Sequence, residues 1–262
     1  MSAPTPVLDF FKRGEVPRDV RLLAAQGGVA VRAHEQLAIL ILLLGEDDEE
    51  IRATAEQTIG RIPLEPLRFF LSGSDVSISI RDFFAARGIL PIDAPEPIGD
   101  DPLIDSSGEA LDAEAAGGTE DERRETVVQQ LAKMGFTERL KAAVKGSREM
   151  RAMLIRDPNK MIASAVLSSP KLSEPEIESF ARMASLSEEV LRIIANNRAW
   201  TKNYNVVLGL TRNPKTPLAL SLNFLQRLSG RDLNQVSVDR NVPEPLRIAA
   251  RKKVAANRAG SG

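Results

Sequence analysis

The chain alternates between aliphatic stretches of helical spacing and short polar breaks. Leu37-Ala-Ile-Leu-Ile-Leu-Leu-Leu44 is too long and too leucine-rich for a comfortable strand. It runs into the acidic break Gly45-Glu-Asp-Asp-Glu-Glu50, and Ile51-Arg-Ala-Thr-Ala-Glu-Gln-Thr-Ile59 follows. Ile51, Ala55 and Ile59 share one helical face at i, i+4 and i+8. Acid ahead of that helix suits the positive end of its dipole, so the stretch predicts a helix, an acidic turn and a second amphipathic helix. An aliphatic residue followed by arginine recurs at Val20-Arg21, Ile51-Arg52 and Ile80-Arg81, spaced by 31 and 29 residues. It returns at Met150-Arg151, Leu191-Arg192 and Leu246-Arg247, with acids close ahead of the pairs. That spacing is the range of helical-hairpin repeats. Arg21, Arg52, Arg81, Arg192 and Arg247 are accordingly assigned to holding turns together.

The second half adds its own punctuation in Asp157-Pro158, Ser169-Pro170 and Asn213-Pro214. A capping side chain beside a proline that suits the first helical position predicts a helix boundary at each. Ser173-Glu-Pro-Glu176 reads as a capping box and Thr216-Pro217 as a further restart. Ile177, Phe180 and Met183 are expected to line one helix face, and Leu218, Leu222 and Leu225 another. Pro170-Lys171 matches Pro214-Lys215 at an offset of 44, and Glu189-Val-Leu-Arg-Ile193 matches Glu244-Pro-Leu-Arg-Ile248 at 55, so the duplication is imperfect. Val76-Ser-Ile-Ser-Ile80 alternates like a strand, but the arginine register makes it a helix entry.

Between these halves, residues 91–121 are rich in Pro, Gly, Ser and acid, with no sustained apolar periodicity, and read as a disordered linker. Pro102-Leu103-Ile104 is its apolar island, read as a chance aliphatic pair in preference to a docking motif. The expected architecture is all-α: a helical-repeat module at 1–90, the acidic linker at 91–121 and a basic helical-repeat module at 122–262. Charge sharpens that division. The net of −1 conceals 10 basic and 13 acidic side chains in residues 1–90, none and 10 in 91–121, and 25 and 13 in 122–262.

Leu42 to Ile59 resembles the helix, acidic turn and aliphatic-Arg opening of HEAT repeats, and Arg212-Asn-Pro-Lys-Thr-Pro-Leu-Ala-Leu220 resembles the text of leucine-rich-repeat variants. The resemblance covers about half of the chain, and it implies stacked helix pairs that present an extended face to partners.

Catalytic chemistry finds little material. Cysteine is absent, which removes thiolate nucleophiles, disulfides and cysteine-based metal sites. His34, the single histidine, lacks convergent partners, and Glu46 to Glu50 lack the alternating ligands and glycine of a calcium loop. Gly27-Gly28 and Gly117-Gly118 fit no phosphate cradle, and no serine stands in a nucleophile elbow. A non-enzymatic protein is expected, without cofactor, metal or small-molecule substrate.

No secretory leader or membrane span is legible, which makes a cytoplasmic location the expectation. The basic stretch is the strongest functional lead: Lys133, Arg139, Lys141, Lys145, Arg148 and Lys160 suit an acidic protein surface, with nucleic acid as the alternative. Trp200, Lys202 and Tyr204 join the candidate surface, since Trp200 and Tyr204 sit at i, i+4 among asparagines, although packing between helices is the commoner fate of a lone Trp.

Overall fold

The computed structural model describes residues 6–30, 32–92, 102–104 and 120–259. Among them are sixteen α-helices and no β-strand. The first eight are α1 (Pro6–Lys12), α2 (Arg18–Ala25), α3 (Ala33–Leu43), α4 (Glu49–Gly60), α5 (Leu64–Ser72), α6 (Ile78–Ala85), α7 (Glu120–Lys133) and α8 (Phe136–Lys145). The others are α9 (Arg148–Leu154), α10 (Lys160–Ala165), α11 (Glu174–Arg182), α12 (Glu188–Asn196), α13 (Tyr204–Arg212), α14 (Leu218–Leu225), α15 (Gly230–Val238) and α16 (Glu244–Ala259).

Two compact units result, one of residues 1–151 with 168–170, the other of 152–167 with 171–262. This division follows packing and falls elsewhere than the charge boundaries, so Lys133 to Arg151 belong to the first unit. Of the acidic stretch 91–121, only 91–92, 102–104 and the start of α7 are among the described residues; the linker expected there otherwise lies outside them.

In the first unit α3 packs against α1, α2, α4 and α6, and α2 also packs on α4. Leu37, Leu40 and Leu43 of α3 are fully buried, as are Ile51 and Ala55 of α4. In the second unit neighbours alternate: α10 packs on α12, α11 on α13 and α14 on α16, while α15 lies along α16. Ile177 and Phe180 bury the expected face of α11. In α14 the expectation is corrected: the buried residues are Ser221, Phe224 and Leu225, and Leu218 is 39% exposed. Phe224 is the bulkier group, and it turns the helix to bury its own side.

One turn recurs. The segments 73–77, 183–187, 213–217 and 239–243 each join two helices, and each closes with a backbone bond from its fourth residue to the carbonyl of its first, at 3.1, 3.3, 3.1 and 3.2 Å. Their fourth residues, Val76, Leu186, Thr216 and Val242, are buried plugs between the joined helices. The helix that follows a turn then places an aliphatic residue three positions after its cap: Val20, Ile51, Ile80, Met150, Val190 and Leu246 are all buried.

Arginine one position later reaches back to the turn. Arg52 donates to the carbonyls of Glu46 and Asp47 at 2.8 and 3.3 Å, Arg81 to the carbonyl of Gly73, and the buried Arg151 to the carbonyl of Gly146 at 3.0 Å. A planar guanidinium suits this work, because it delivers several donors to carbonyls that end a helix. Arg21 instead binds the Glu46 carboxylate, tying α2 to the α3–α4 turn. Arg192 departs from the assignment: it stands five positions after its cap Ser187, and that extra residue turns it outward to pair with Glu188 within α12.

The two Asx-Pro segments lie at helix boundaries, as expected. Asn213 closes α13, and Asp157 precedes the true cap Asn159, whose side chain accepts from the Met161 N–H at 2.9 Å. No helix starts at Ser169-Pro170; α11 begins only at Glu174. In Asp157, Asn197, Asn213 and Asp239 the side chain accepts from the N–H two residues on, at 2.8, 2.9, 3.1 and 3.0 Å. That geometry competes with helix continuation: Asn197, Asn213 and Asp239 directly follow the ends of α12, α13 and α15, while Asp157 lies three residues beyond α9. The capping box forms as expected, with the Glu176 carboxylate accepting from the Ser173 N–H at 3.1 Å and its hydroxyl at 2.8 Å.

Candidate partner-binding surfaces

The expected binding residues divide between the two units. Lys133 and Arg148 are exposed in the first, and Lys141 and Lys145 are half-buried on α8 beside the buried Leu140 and Val144. Arg139 is also half-buried, and neither it nor Lys145 is free of partners. Lys160, Trp200, Lys202 and Tyr204 belong to the second unit. Lys160 and Lys202 are exposed, whereas Trp200 is half-buried in a short 3-10 turn, Trp200–Lys202.

Tyr204 is a strut between helices. Its hydroxyl donates to Asp232 and accepts from the Ser229 N–H at 3.0 Å, so it braces the start of α15 while its ring remains 40% exposed. Hydrogen bonds from Tyr204, then from Ser229, hold the Asp232 carboxyl below its ordinary value. A depressed carboxylate stabilises the fold above its unfolded value, and that stability is lost as pH falls through the lower folded value. Tyr204→Phe is therefore expected to lower stability at neutral pH by about 0.5–1 kcal/mol, discounted for solvent screening. The deficit should shrink in acid below the carboxylate range. Urea melts followed by Trp200 fluorescence, run in parallel at neutral and acidic pH, check both.

Other polar links also join helices, across intervals of 27 to 32 residues. Arg18 binds Asp48 and Glu50 at 2.7 and 2.5 Å, Arg87 binds Glu56 at 2.9 Å, and Arg212 binds Asp239 at 3.1 Å. The acidic turn at Glu46 to Glu50 thus receives Arg18 and Arg21 from α2. The Arg18 hydrogen bond holds Asp48 below its ordinary carboxylate range. His34 lies edge-on to Phe70 at 4.7 Å, and its Nε2 is 3.3 Å from the carbonyl of Asp75.

A further contact involves the apolar island. Gln36 of α3 is 1% exposed, and its amide binds the segment 102–104. Its Oε1 accepts from the N–H groups of Leu103 and Ile104 at 2.9 and 3.1 Å. Its Nε2 donates to the carbonyls of Ile104 and Gly27 at 2.8 and 3.2 Å. Two donors and two lone pairs are thereby all satisfied, the full capacity of a side-chain amide. Consecutive N–H groups converging on one oxygen require a bent segment, since in a strand they point to opposite sides.

Gly27 forms the floor. Its backbone has φ +86°, so the turn calls for glycine, and a Cβ there would stand in ordinary van der Waals contact with the Gln36 Nε2 and the Ile104 Cγ2, both at 3.4 Å. The island is therefore docked, contrary to its reading as a chance aliphatic pair. Three backbone groups matched to one buried amide are what the sequence could not show.

These surfaces belong to an all-α protein. Among the described residues no group of three or more metal-binding side chains converges, and no helix is long and apolar enough to cross a membrane. The chain matches no known protein family, no curated protein and no solved structure.

Proposed function

We propose that this protein is a non-enzymatic scaffold that binds other proteins through the surfaces of stacked helix pairs. One observation carries the reading: the first unit grips a short segment of chain through a fully satisfied side-chain amide. Recurrent turns and polar links 27 to 32 residues apart support the helical-repeat architecture behind it. In this reading the basic residues Lys133, Lys141, Lys145 and Arg148 add an electrostatic surface for an acidic protein partner.

Nucleic acid is a second reading, favoured by the same basic cluster and the excess of 25 basic over 13 acidic side chains in residues 122–262. Affinity capture from native lysate, with and without nuclease, separates the two. Nuclease-resistant retention of defined proteins is expected; retained material that disappears with nuclease, or shifts a random duplex, would favour nucleic acid. Lys133→Glu with Arg148→Glu, both exposed, is expected to weaken capture of acidic proteins about tenfold or more while moving the thermal midpoint by no more than about 2 °C.

A further inference from the structure

We propose that Gly27 and Gln36 form a peptide-binding site, that residues 102–104 are its tethered occupant, and that a partner protein's bent Pro-aliphatic-aliphatic peptide displaces them. The inference deepens the scaffold reading, on which it rests, by giving one surface a ligand.

The hydrogen bonds define what the site selects. Three of the four involve the main chain of the bound segment, so the amide reads a backbone bend rather than particular side chains. Side-chain selection comes from Ile104, whose side chain lies beside Gly27, close enough that a Cβ added there would touch it. Proline ahead of the two aliphatics has no N–H to leave unpaired at the edge of the bend and restricts the backbone there. All three residues are half-buried, so the segment lies on the first unit without entering its core. Such a contact can be vacated without opening the fold.

Vacating it is unfavourable unless something equivalent arrives. Gln36 would keep only its bond to Gly27 and lose partners for its oxygen and one N–H. A peptide with the same bend and aliphatic pair restores all of them. The internal segment competes at an effective concentration of about 1 mM, the order set by a covalent tether. For an intrinsic Kd of about 100 μM, such a competitor weakens an external peptide roughly tenfold.

The test uses full-length protein and a fluorescein-labelled peptide with the sequence of residues 98–108, read by anisotropy. Against Leu103→Pro with Ile104→Pro, which removes both N–H groups that the Gln36 oxygen accepts and so empties the site, the peptide is expected to bind; against the unchanged protein it should bind about tenfold more weakly. Adding Gln36→Glu to the emptied protein removes the two donors and should cost a further tenfold or more. A peptide with proline at both aliphatic positions should bind neither the emptied nor the unchanged protein, and the comparison of the two peptides on the unchanged protein does not depend on any variant folding.

The proposal is overturned if the emptied protein, shown folded by circular dichroism, ignores the peptide, or if all proteins and both peptides bind alike. It is also overturned if sedimentation shows a wild-type dimer that the double substitution dissolves, because the occupant would then belong to a second copy. The scaffold reading stands or falls separately, on whether defined proteins are captured from lysate after nuclease treatment.

Discussion

Asn213→Ala is expected to destabilise the second unit by about 2–4 kcal/mol, a large effect for removing a few atoms. The side chain is 3% exposed and joins two helices. Its amide donates to the carbonyls of Ala181 and Met183, both at 3.0 Å, and its oxygen accepts from the Lys215 N–H at 3.1 Å. Alanine would leave these groups without that partner, where α11 meets α13. Asn213→Asp sharpens the test, because it keeps the acceptor but turns a carboxylate toward two carbonyl oxygens. Its pKa should rise, so its stability should improve as pH falls and protonation restores a donor. Urea midpoints followed by Trp200 fluorescence report this unit. If Asn213→Ala behaves like wild type, the amide bridge carries no weight.

Gly146→Ala should cost about 2–4 kcal/mol in the first unit, by collision rather than by loss of contacts. A Cβ at Gly146 would lie 2.4 Å from the Ala142 carbonyl oxygen and 3.0 Å from the Met150 sulfur. That oxygen accepts the Gly146 N–H at 2.9 Å, so relieving the clash loosens the bond that ends α8. It also moves the carbonyl to which buried Arg151 donates. Gly88 provides the control: its φ is +76°, nothing lies within 4 Å of an added Cβ, and alanine there should cost only about 1–2 kcal/mol of backbone strain. Circular-dichroism melts of the two variants should therefore separate clearly. Similar midpoints would mean that α8 relaxes freely.

The helices themselves were legible because helix-period burial is written directly into Ile51, Ala55 and Ile59, or Ile177 and Phe180. The aliphatic-Arg pairs pointed to real turn clamps at Arg52 and Arg81, since buried aliphatics and returning guanidiniums sit at fixed distances from the cap. Arg192 misled because a pair of residues carries no register, and one position along a helix rotates a side chain by about 100°. Arg151 carries the same pair, and only its burial and its bond to Gly146 show it to be a clamp. Asn213 was legible as a boundary, but Asx-Pro is compatible with either side of one, and its partners are carbonyls 30 and 32 residues away. Tyr204 was visible as a polar-tipped aromatic, but its partners lie 25 and 28 residues on. Gln36 was invisible for a similar reason. A lone glutamine in an aliphatic helix resembles a solvent-facing residue until the segment 68 residues later supplies its partners.

The short interval between most linked residues bears on how the chain acquires its structure. Bonds that close loops of about 30 residues demand little chain entropy, and each helix pair can order soon after its neighbour. The Gln36 grip on Ile104 must close a loop more than twice as long, at the surface, so it belongs among the last contacts to form and the first to open. A nascent or partly unfolded chain would thus present an open acceptor before its own segment returns.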